Sequence, residues 1–389
     1  MQDENVDRRS FLKVMGAVGM SSTLPGAAFG LHPASGSVVE QVAGPDTVTK
    51  PKYSIRFGVI GLDHYHIMGM TAAVIRGGGE LVSFYSNLPK AIADFHKIYP
   101  NAKLAESEDA ILDDPSLKLI AGAPIPRLRA PLGIRAMKQG KDFLSDKPGV
   151  TTLEQLAEVR KVSAETGKMF AIMYSERLEV RAAVQAGYLI KDGAIGKVVQ
   201  TVNLAPHKVN DISRPDWFWD PAEYGGILCD IGSHQADQFV YYTGSTSAEV
   251  TAAQIANVNH PAHPKFQDFG DMMVHGNGGA GYVRVDWFTP NGLSTWGDGR
   301  LFILGTDGYI ELRKYIDIDG KPGGNHLFMV NQKQVTYMDC SKIELPFGPQ
   351  FVSDIVNRTH TGQNQDQALL AAELVLKAQK AAKVLTFTT

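Results

Sequence analysis

Between Tyr53 and about residue 174, short apolar segments alternate with amphipathic ones, and this alternation restricts the fold more than any other feature of the sequence. Strands that follow one another through helices pair in parallel and form a sheet covered on both faces. The pattern indicates strands at 55–60, 80–85, 118–121, 142–145 and 169–173, and helices at 66–76, 89–99, 128–139 and 152–166. Residues 53–174 are therefore predicted to form an α/β domain with a parallel sheet.

The pattern changes after about Leu178, where longer β-like segments replace the alternation of strands and helices. Five such segments, several joined by glycine-rich turns, occur at 197–204, 248–258, 271–289, 301–313 and 326–338. One clear helical pattern, 232–242, interrupts them, and a last amphipathic helix over 366–383 is expected to pack back on the body. Residues 175–389 are therefore predicted to form an α+β domain with a large, open, mixed or antiparallel sheet of at least five strands.

The first thirty residues are typical of an export signal. Arg8 and Arg9 precede an apolar run, 14–30, that is too short and too rich in Gly and Ser to span a bilayer comfortably, and Ala28 and Gly30 are small residues that suit a signal peptidase. This segment resembles a twin-arginine signal. It predicts recognition by the twin-arginine export machinery, a periplasmic or otherwise exported location, and no stable membrane anchor. Residues 31–52 are predicted to be a linker.

The composition excludes several classes of function. The 389 residues include 38 Lys and Arg against 41 Asp and Glu, a net charge of −3, so no basic field favours nucleic acid as a partner. Cys229 and Cys340 are too few for a disulfide framework. The histidines show no convincing metal-ligand spacing, and no metal is predicted.

The turn after the first predicted strand has the position of a dinucleotide-binding loop, although not its full glycine pattern. Gly58 and Gly61 are present, but Asp63 and His66 stand where the pattern G-x-G-x-x-G has its second and third glycines. A glycine turn in an unrelated α/β sheet is an equally good interpretation of this segment alone. Asp63 could contact a nucleotide or cap the following helix, and capping is the favoured interpretation.

The end of the second predicted strand decides between the two nicotinamide nucleotides in many proteins of this class, because an acid there binds the ribose hydroxyls of NAD. Here the segment 84–88 is neutral, and Ser86 suits either a hydroxyl or a 2′-phosphate, so NAD and NADP both remain open. The predicted nucleotide contacts are Gly58, Gly61, Leu62, Asp63, His64, Ser86, Asn87, Pro124 and Lys147.

Three residues are the candidates for chemistry. Lys147 lies in the segment Asp146-Lys147-Pro148 directly after a predicted strand, and the carboxyl ends of strands are where open α/β sheets place ligands. Asp230 and His234 are four residues apart, so a helix would put them on one face, where the carboxylate could orient the imidazole and support its protonated form. A purely structural Asp–His pair is the more common meaning of this spacing taken by itself.

Three motifs in one order resemble the glucose–fructose oxidoreductase/inositol dehydrogenase (Gfo/Idh/MocA) family. They are the turn 58–61, the segment 146–148 and the stretch 225–237, and the resemblance extends from Tyr53 to about Lys383. It implies a Rossmann domain, a C-terminal open-sheet domain, a bound NAD or NADP, sugar- or cyclitol-like substrates, and homo-oligomers formed through the open sheet. It also implies catalytic roles for Lys147, Asp230 and His234 around the reacting carbinol, with His234 taking the hydroxyl proton and Lys147 stabilising the alkoxide.

Further substrate contacts are predicted in the loop before the Asp230 segment. Arg214, Trp217 and Trp219 offer two indoles and a guanidinium that could stack on a sugar and bind its hydroxyls or a carboxylate. A lid or a subunit contact would explain the same residues equally well. His207 is an additional substrate-binding candidate.

The sequence thus predicts an exported NAD(P)-dependent oxidoreductase acting on CH–OH groups of a sugar derivative. Because a free nicotinamide pool is not expected outside the cytoplasm, the nucleotide is predicted to be tightly bound and recycled in place. Two alternatives remain. One is a redox-neutral enzyme that cleaves or epimerises glycosides and uses the nucleotide transiently; the other is a non-catalytic nucleotide- or sugar-binding homologue.

Overall fold

The computed structural model describes residues 38–39, 51–210, 214–318 and 320–387. The predicted export signal, 1–30, and most of the predicted linker, 31–52, lie outside these ranges. The chain divides into two units between Ser37 and Val38, and the architecture below concerns the second. Within the predicted linker, Val38–Val39 forms a two-residue strand, β1. None of the described helices has both the length and the apolar character that a bilayer crossing requires.

The first domain contains a six-stranded sheet in which all strands are parallel. Its order is β4-β3-β2-β5-β6-β7, so the chain reverses its direction of winding between β2 and β5. The strands are β2 (Ile55–Ile60), β3 (Gly79–Tyr85), β4 (Lys103–Leu104), β5 (Leu119–Gly122), β6 (Asp142–Asp146) and β7 (Phe170–Met173). The helices are α1 (His66–Arg76), α2 (Pro89–Ile98), α3 (Glu108–Leu112), α4 (Pro126–Lys138) and α5 (Leu153–Thr166). The predicted Rossmann-type parallel sheet is confirmed.

The second domain begins with helices that lead into a ten-stranded mixed sheet. The helices are α6 (Ser175–Leu178), α7 (Arg181–Lys191), a 3₁₀ turn (Asp216–Trp219), α8 (Pro221–Tyr224), α9 (Ile227–Asp230), α10 (Gly232–Thr243), α11 (Phe347–Asn357) and α12 (Gln365–Ala381). The strands are β8 (Val198–Pro206), β9 (Ala248–Ala256), β10 (Phe269–Gly276), β11 (Gly279–Asp286), β12 (Arg300–Gly305), β13 (Gly308–Arg313), β14 (His326–Asn331), β15 (Val335–Asp339) and β16 (Lys383–Val384).

The order of the second sheet is β1-β15-β14-β13-β12-β8-β11-β10-β9-β16. Pairing is parallel at β1–β15, β8–β11 and β9–β16 and antiparallel elsewhere, so the predicted mixed sheet is confirmed. The sequence pattern missed α7 and α11. Helix α11 was hidden because Gly348 and Pro349 stand in its first turn, where such residues usually indicate a loop.

Helix α12 lies between the two sheets and joins the domains. It packs against α10 and β9 on one side and against α5 and β7 on the other. Strand β7 is an edge of the parallel sheet, and the side chains just before and at the start of α12 complete its hydrogen bonding: Gln365 Oε1 accepts from Phe170 N at 2.7 Å and Gln363 Oε1 from Ile172 N at 3.0 Å. The Tyr174 hydroxyl donates to Ala368 O. These contacts fix the second domain against the carboxyl ends of β6 and β7.

Candidate active site

A cleft of about 660 Å³, part of it open to solvent, lies where the ends of β6, β7 and β8 meet the loop 214–217 and the start of α10. Seven residues singled out in the sequence line it together: His64, Lys147, His207, Arg214, Trp217, Asp230 and His234. They come from both domains, so the cleft exists only when the two are packed together.

Lys147 and Asp230 form an ion pair in the wall of the cleft. Lys147 Nζ lies 2.8 Å from Asp230 Oδ1 and 3.2 Å from the Asp230 carbonyl oxygen, and the lysine is 6% exposed. Burial by itself would raise the pKa of the Asp230 carboxyl, but the adjacent Lys147 ammonium outweighs it and lowers that pKa. The Asp230 carboxylate is therefore ionised at neutral pH, and the Lys147 side chain has a fixed direction because two oxygens of one residue hold its Nζ.

His234 stands beside this pair as a neutral base. It is 3% exposed, and its Nδ1 is buried without a hydrogen-bond partner among the described residues, which leaves Nε2 to face the cleft. Burial, with the nearby Lys147 cation, keeps the pKa of His234 well below its usual range. The expectation that Asp230 orients His234 is wrong, because the Asp230 carboxylate turns to Lys147, the nearest cation. Asp230 therefore positions Lys147.

The carboxylate of Asp146, at the end of β6, organises the floor of the cleft. It is fully buried and accepts from His64 Nδ1 at 2.6 Å and His66 Nδ1 at 3.0 Å, while the guanidinium of Arg129 lies 3.0 Å away. Burial opposes ionisation, but the Arg129 guanidinium holds the pKa of Asp146 well below its usual range. Arg129 also donates to the carbonyl oxygens of Pro124 and Lys147. One buried ion pair thus sets the backbone next to Lys147, whose peptide bond to Pro148 is cis.

His64, His66 and Asp146 also form a group whose candidate ligand atoms all lie within 4.8 Å of one another, which is close enough to hold a metal ion. The surroundings of these atoms do not favour a metal ion. Each oxygen of the Asp146 carboxylate already accepts a hydrogen bond from one imidazole, and the positive Arg129 guanidinium lies beside Oδ2, the oxygen that His64 contacts. We interpret the group as a hydrogen-bond network. The prediction that no metal is bound stays a prediction.

The far end of the cleft contains a second ion pair. Lys314 Nζ is bound to Glu176 Oε1, and both side chains are largely buried. His207, whose Nδ1 donates to Ala205 O at 3.0 Å, and Tyr315 complete this end. These four residues also line an adjoining cavity of about 460 Å³ that extends toward β12. This end of the cleft therefore offers several polar groups to a ligand.

The two predicted indoles lie in different places. Trp217 lines the cleft, whereas Trp219 stacks on His263 with ring centroids 3.8 Å apart and packs against Phe266 outside the cleft. The prediction that Trp219 binds substrate is wrong, because the 3₁₀ turn Asp216–Trp219 sends the two indoles in different directions. Arg214 faces the cleft beneath a group of aromatic rings that includes Trp287.

Gly61 gives the turn between β2 and α1 a shape that only glycine allows. Its φ is +82°, and a Cβ on it would lie 2.7 Å from the backbone nitrogen of Pro124 in the neighbouring β5–α4 turn. Helix α1 follows with no side-chain cap on its first turn. A close backbone turn that leads to an uncapped helix start suits a diphosphate group. The residues present therefore fit a dinucleotide at this end of the sheet.

Other predicted nucleotide contacts lie elsewhere or have local partners. Gly58 lies inside β2, where a Cβ would meet Ile111 at 2.5 Å, so its role is packing against α3. Asp63 does not cap α1, because the helix begins two residues later with Tyr65 at its N-cap; burial raises the pKa of its carboxyl. The Ser86 hydroxyl accepts from Leu88 N at 3.2 Å.

Three further predicted nucleotide contacts flank the Gly61 turn or the end of β3. Leu62 and Pro124 are buried beside the turn, whereas Asn87 is exposed at the end of β3. Leu62 belongs to the apolar core of the parallel sheet, so its side chain supports the turn from below.

The close approach at Gly61 leads to a testable prediction. Gly61→Ala should weaken NADH binding about ten- to a hundredfold, since the left-handed backbone and the contact with Pro124 together cost about 1–3 kcal/mol and reshape the turn. Fluorescence titration with NADH measures the affinity. The matched control is Gly140→Ala, which has a similar φ of +75° but open space around its Cβ, and NADH affinity should be unchanged. Equal affinities of both variants would contradict the role of this turn.

Buried neutral imidazoles should make stability depend on pH. Burial lowers the pKa of His207 to about 4, so in mild acid the unfolded chain binds a proton that the folded chain excludes. The contribution of His207 is therefore present above about pH 6.5 and is lost as pH falls, by on the order of 3 kcal/mol at about pH 4. Urea unfolding from neutral to acid pH should show a shallower decline for His207→Gln than for wild type. The exposed His360→Gln serves as control, and identical slopes for wild type and His207→Gln would contradict the prediction.

Sequence reasoning did not predict eleven of the eighteen residues that line the cleft. They are His66, Pro126, Arg129, Ser175, Glu176, Phe218, Ile231, Trp287, Trp296, Lys314 and Tyr315. Glu176 offered a usable signal, because it follows the carboxyl end of β7 in the parallel sheet, the same position that Lys147 has after β6. Lys314 and Tyr315 follow β13 of the mixed sheet, for which no such positional rule exists.

Comparison with known proteins identifies relatives of this chain. Residues 55–174 match the family described as an oxidoreductase family with an NAD-binding Rossmann fold, and residues 183–311 match the GFO/IDH/MocA C-terminal domain. The chain is 24% identical over 150 residues to D-xylose dehydrogenase of Paenarthrobacter nicotinovorans, a match that covers 37% of this chain and 38% of that protein. It is 24% identical to scyllo-inositol 2-dehydrogenase (NAD(+)) of Bacillus subtilis strain 168, over 67% of this chain and 74% of that enzyme. The matches to the first two curated relatives span 38% and 47% of their lengths, less than half in each case.

Solved structures extend the likeness to both domains. A crystal structure from Erwinia carotovora atroseptica SCRI1043, assigned as an oxidoreductase, is 45% identical with a TM-score of 0.83 and covers 86% of this chain and 100% of its own. A levoglucosan dehydrogenase in complex with NADH and levoglucosan is 16% identical with a TM-score of 0.70, covering 85% of this chain and 98% of its own. At that identity the second likeness concerns the fold alone.

Proposed function

The chain belongs to the Gfo/Idh/MocA family of NAD-binding oxidoreductases, and from that premise we propose that it oxidises a secondary alcohol of a sugar, a cyclitol or a sugar derivative, or reduces the corresponding ketone. The observation that carries the proposal is the convergence of a buried ammonium, Lys147, and a buried neutral imidazole, His234, in a cleft that is also lined by His64, three residues after Gly61. Relatives that act on D-xylose and scyllo-inositol support the class of substrate.

In this proposal each residue of the wall has one task. The Lys147 ammonium binds the substrate oxygen and stabilises the negative charge that develops on it. Asp230 holds that ammonium in place through the 2.8 Å ion pair. His234 receives the hydroxyl proton at Nε2, and its low pKa keeps the imidazole neutral and ready to accept at neutral pH. NAD, when bound, supplies the hydride acceptor.

The burial of Lys147 and His234 limits the competition of water with the substrate for their polar groups. Lys147 and His234 are almost inaccessible, and the indole of Trp217 covers the cleft from the loop. A substrate that fills the cleft therefore displaces the remaining solvent from the ammonium, where its charge acts more strongly than in water.

We also propose that the protein is exported and that it keeps its nucleotide bound. The twin-arginine motif at Arg8 and Arg9 favours export of the folded protein, and an exported dehydrogenase needs a nucleotide that stays bound through many cycles. NAD is the favoured nucleotide because the matching family is described as NAD-binding.

One experiment tests identity, cofactor and reaction type together. The full chain is produced in a bacterium with a twin-arginine pathway, the mature protein is collected from the periplasm, and the small molecules released on denaturation are weighed by mass spectrometry. We expect NAD or NADH in near-equimolar amount and NADH formation on addition of aldoses, cyclitols or sugar acids. Cleavage or epimerisation of a glycoside with no net NADH would favour the redox-neutral alternative, and a protein that neither contains nor binds the nucleotide would refute the proposal.

A further inference from the structure

The charges that line the cleft are paired except one. Lys147 is bound to Asp230, Arg129 to Asp146 and Lys314 to Glu176, so each of these three cations has a carboxylate within ion-pair distance. Arg214, the fourth cation of the lining, has no carboxylate within 4 Å among residues 51–210, 214–318 and 320–387. The histidines do not offset it, since His207 and His234 are neutral at pH 7.

The surroundings of Arg214 keep its guanidinium in place but supply no ion pair among the described residues, and only the more distant Asp230 carboxylate partly offsets the effect of burial on its pKa. The guanidinium carbon lies over the rings of Phe218 at 4.1 Å, Trp287 at 5.0 Å and Trp296 at 5.2 Å. Nε donates to Val209 O at 2.6 Å and Nη2 to Lys208 O at 3.3 Å, while Nη1 has no partner among the described residues. Aromatic faces and backbone carbonyls orient a cation without neutralising it.

Removal of a cation from water without a counter-ion is costly, and buried charges in proteins are usually paired with an opposite charge. Burial lowers the pKa of Arg214 to about 10, so the group remains charged at neutral pH although its hydration is reduced. A planar guanidinium with one free edge matches a carboxylate, which accepts two parallel hydrogen bonds.

We infer that the substrate carries a carboxylate, which Arg214 binds inside the cleft. This inference rests on the proposed function and narrows its substrate to sugar acids such as aldonic and uronic acids. The reacting hydroxyl lies at Lys147 and His234, and the carboxylate restores the charge balance of the lining.

The test compares acids with their neutral amides. D-Glucuronate, D-galacturonate and D-gluconate are each titrated against the corresponding primary amide, with and without saturating NADH, and binding is followed by tryptophan fluorescence, which Trp217, Trp287 and Trp296 in the lining make sensitive to occupancy. We expect at least one acid to bind about ten- to a hundredfold more tightly than its amide, the range of a charge-assisted hydrogen-bond pair. If no acid binds more tightly than its amide, the inference is overturned.

Variants of Arg214 test whether this side chain causes the preference for the acid over its amide. Arg214→Gln keeps hydrogen-bond donors but not the charge, and should abolish the preference for the acid by weakening acid binding alone; Arg214→Lys should retain part of it. The control Arg56→Gln removes a guanidinium that is 43% exposed at the start of β2, at the edge of the parallel sheet opposite the cleft, and should leave the preference unchanged. An equal loss of acid and amide binding in Arg214→Gln would also overturn the inference.

The outcomes separate this inference from the proposed function. If the protein binds NADH and oxidises neutral sugars but shows no preference for acids, the proposed function is supported and the carboxylate site at Arg214 is refuted. If the protein prefers acids through Arg214 but binds no nicotinamide nucleotide, the proposed function is refuted and the carboxylate site at Arg214 is supported.

Discussion

Replacing Lys147 by methionine is expected to lower the turnover number about a hundred- to a thousandfold, because the variant lacks the ammonium beside His234 that stabilises a developing alkoxide in the proposed reaction. Methionine keeps the length and the apolar stem of the side chain, so packing around the 6% exposed position should change little. The measurement is the steady-state rate of oxidation of the sugar or sugar acid that the wild-type protein oxidises fastest, with an artificial electron acceptor that reoxidises the bound NADH.

Two further variants help to interpret the result for Lys147→Met. Lys90→Met removes an ammonium from a side chain that is 89% exposed on α2 and should leave turnover unchanged. Asp230→Asn should reduce turnover less than Lys147→Met, since it removes the carboxylate that positions the ammonium and leaves the ammonium itself. Wild-type turnover in Lys147→Met would show that the charge of this residue does not take part in the reaction.

His234→Gln is expected to reduce turnover about a hundred- to ten-thousandfold, the range that removal of a general base produces. Glutamine can still form hydrogen bonds but cannot accept the proton at neutral pH. Because burial and the Lys147 charge hold the pKa of His234 well below its usual range, wild-type turnover should remain constant from neutral into mildly acidic solution and then fall as the imidazole becomes protonated.

The pH profile distinguishes the base from a structural histidine. The residual activity of His234→Gln should rise with pH as hydroxide or water replaces the missing base, whereas His360→Gln, at an exposed position after α11, should reproduce the wild-type profile. A His234→Gln variant with the turnover and the pH profile of wild type would assign the proton to another group.

The predictable parts of this protein are those in which position along the chain determines position in space. Parallel strands joined by helices bring their carboxyl ends to one edge, and for this reason Lys147 after β6 could be placed in a cleft from the sequence. Gly61 could be placed at the tight turn for the same reason. The interpretation of Gly58 was wrong because a glycine required by the packing of Ile111 and a glycine required by a ligand have the same sequence pattern.

The partner of a charged side chain was not predictable. The spacing of Asp230 and His234 permits their contact on a helix, but the Asp230 carboxylate contacts Lys147, which is 83 residues away in sequence and arrives from the other domain. Long-range competition of this kind leaves no local pattern. The Arg214 site illustrates the same limit, since its Trp287 and Trp296 rings come from the segment that follows β11.

The two glutamines that meet β7 have a consequence for the behaviour of the protein at high concentration. An edge strand with free amide groups is a template onto which a strand of another molecule can add, and natural proteins protect such edges. Here Gln363 and Gln365 occupy the outward amides of Phe170 and Ile172 with side chains of the same molecule. The parallel sheet therefore cannot be extended from this side, and crowding of many copies in a small compartment does not offer this edge to intermolecular β-sheet growth.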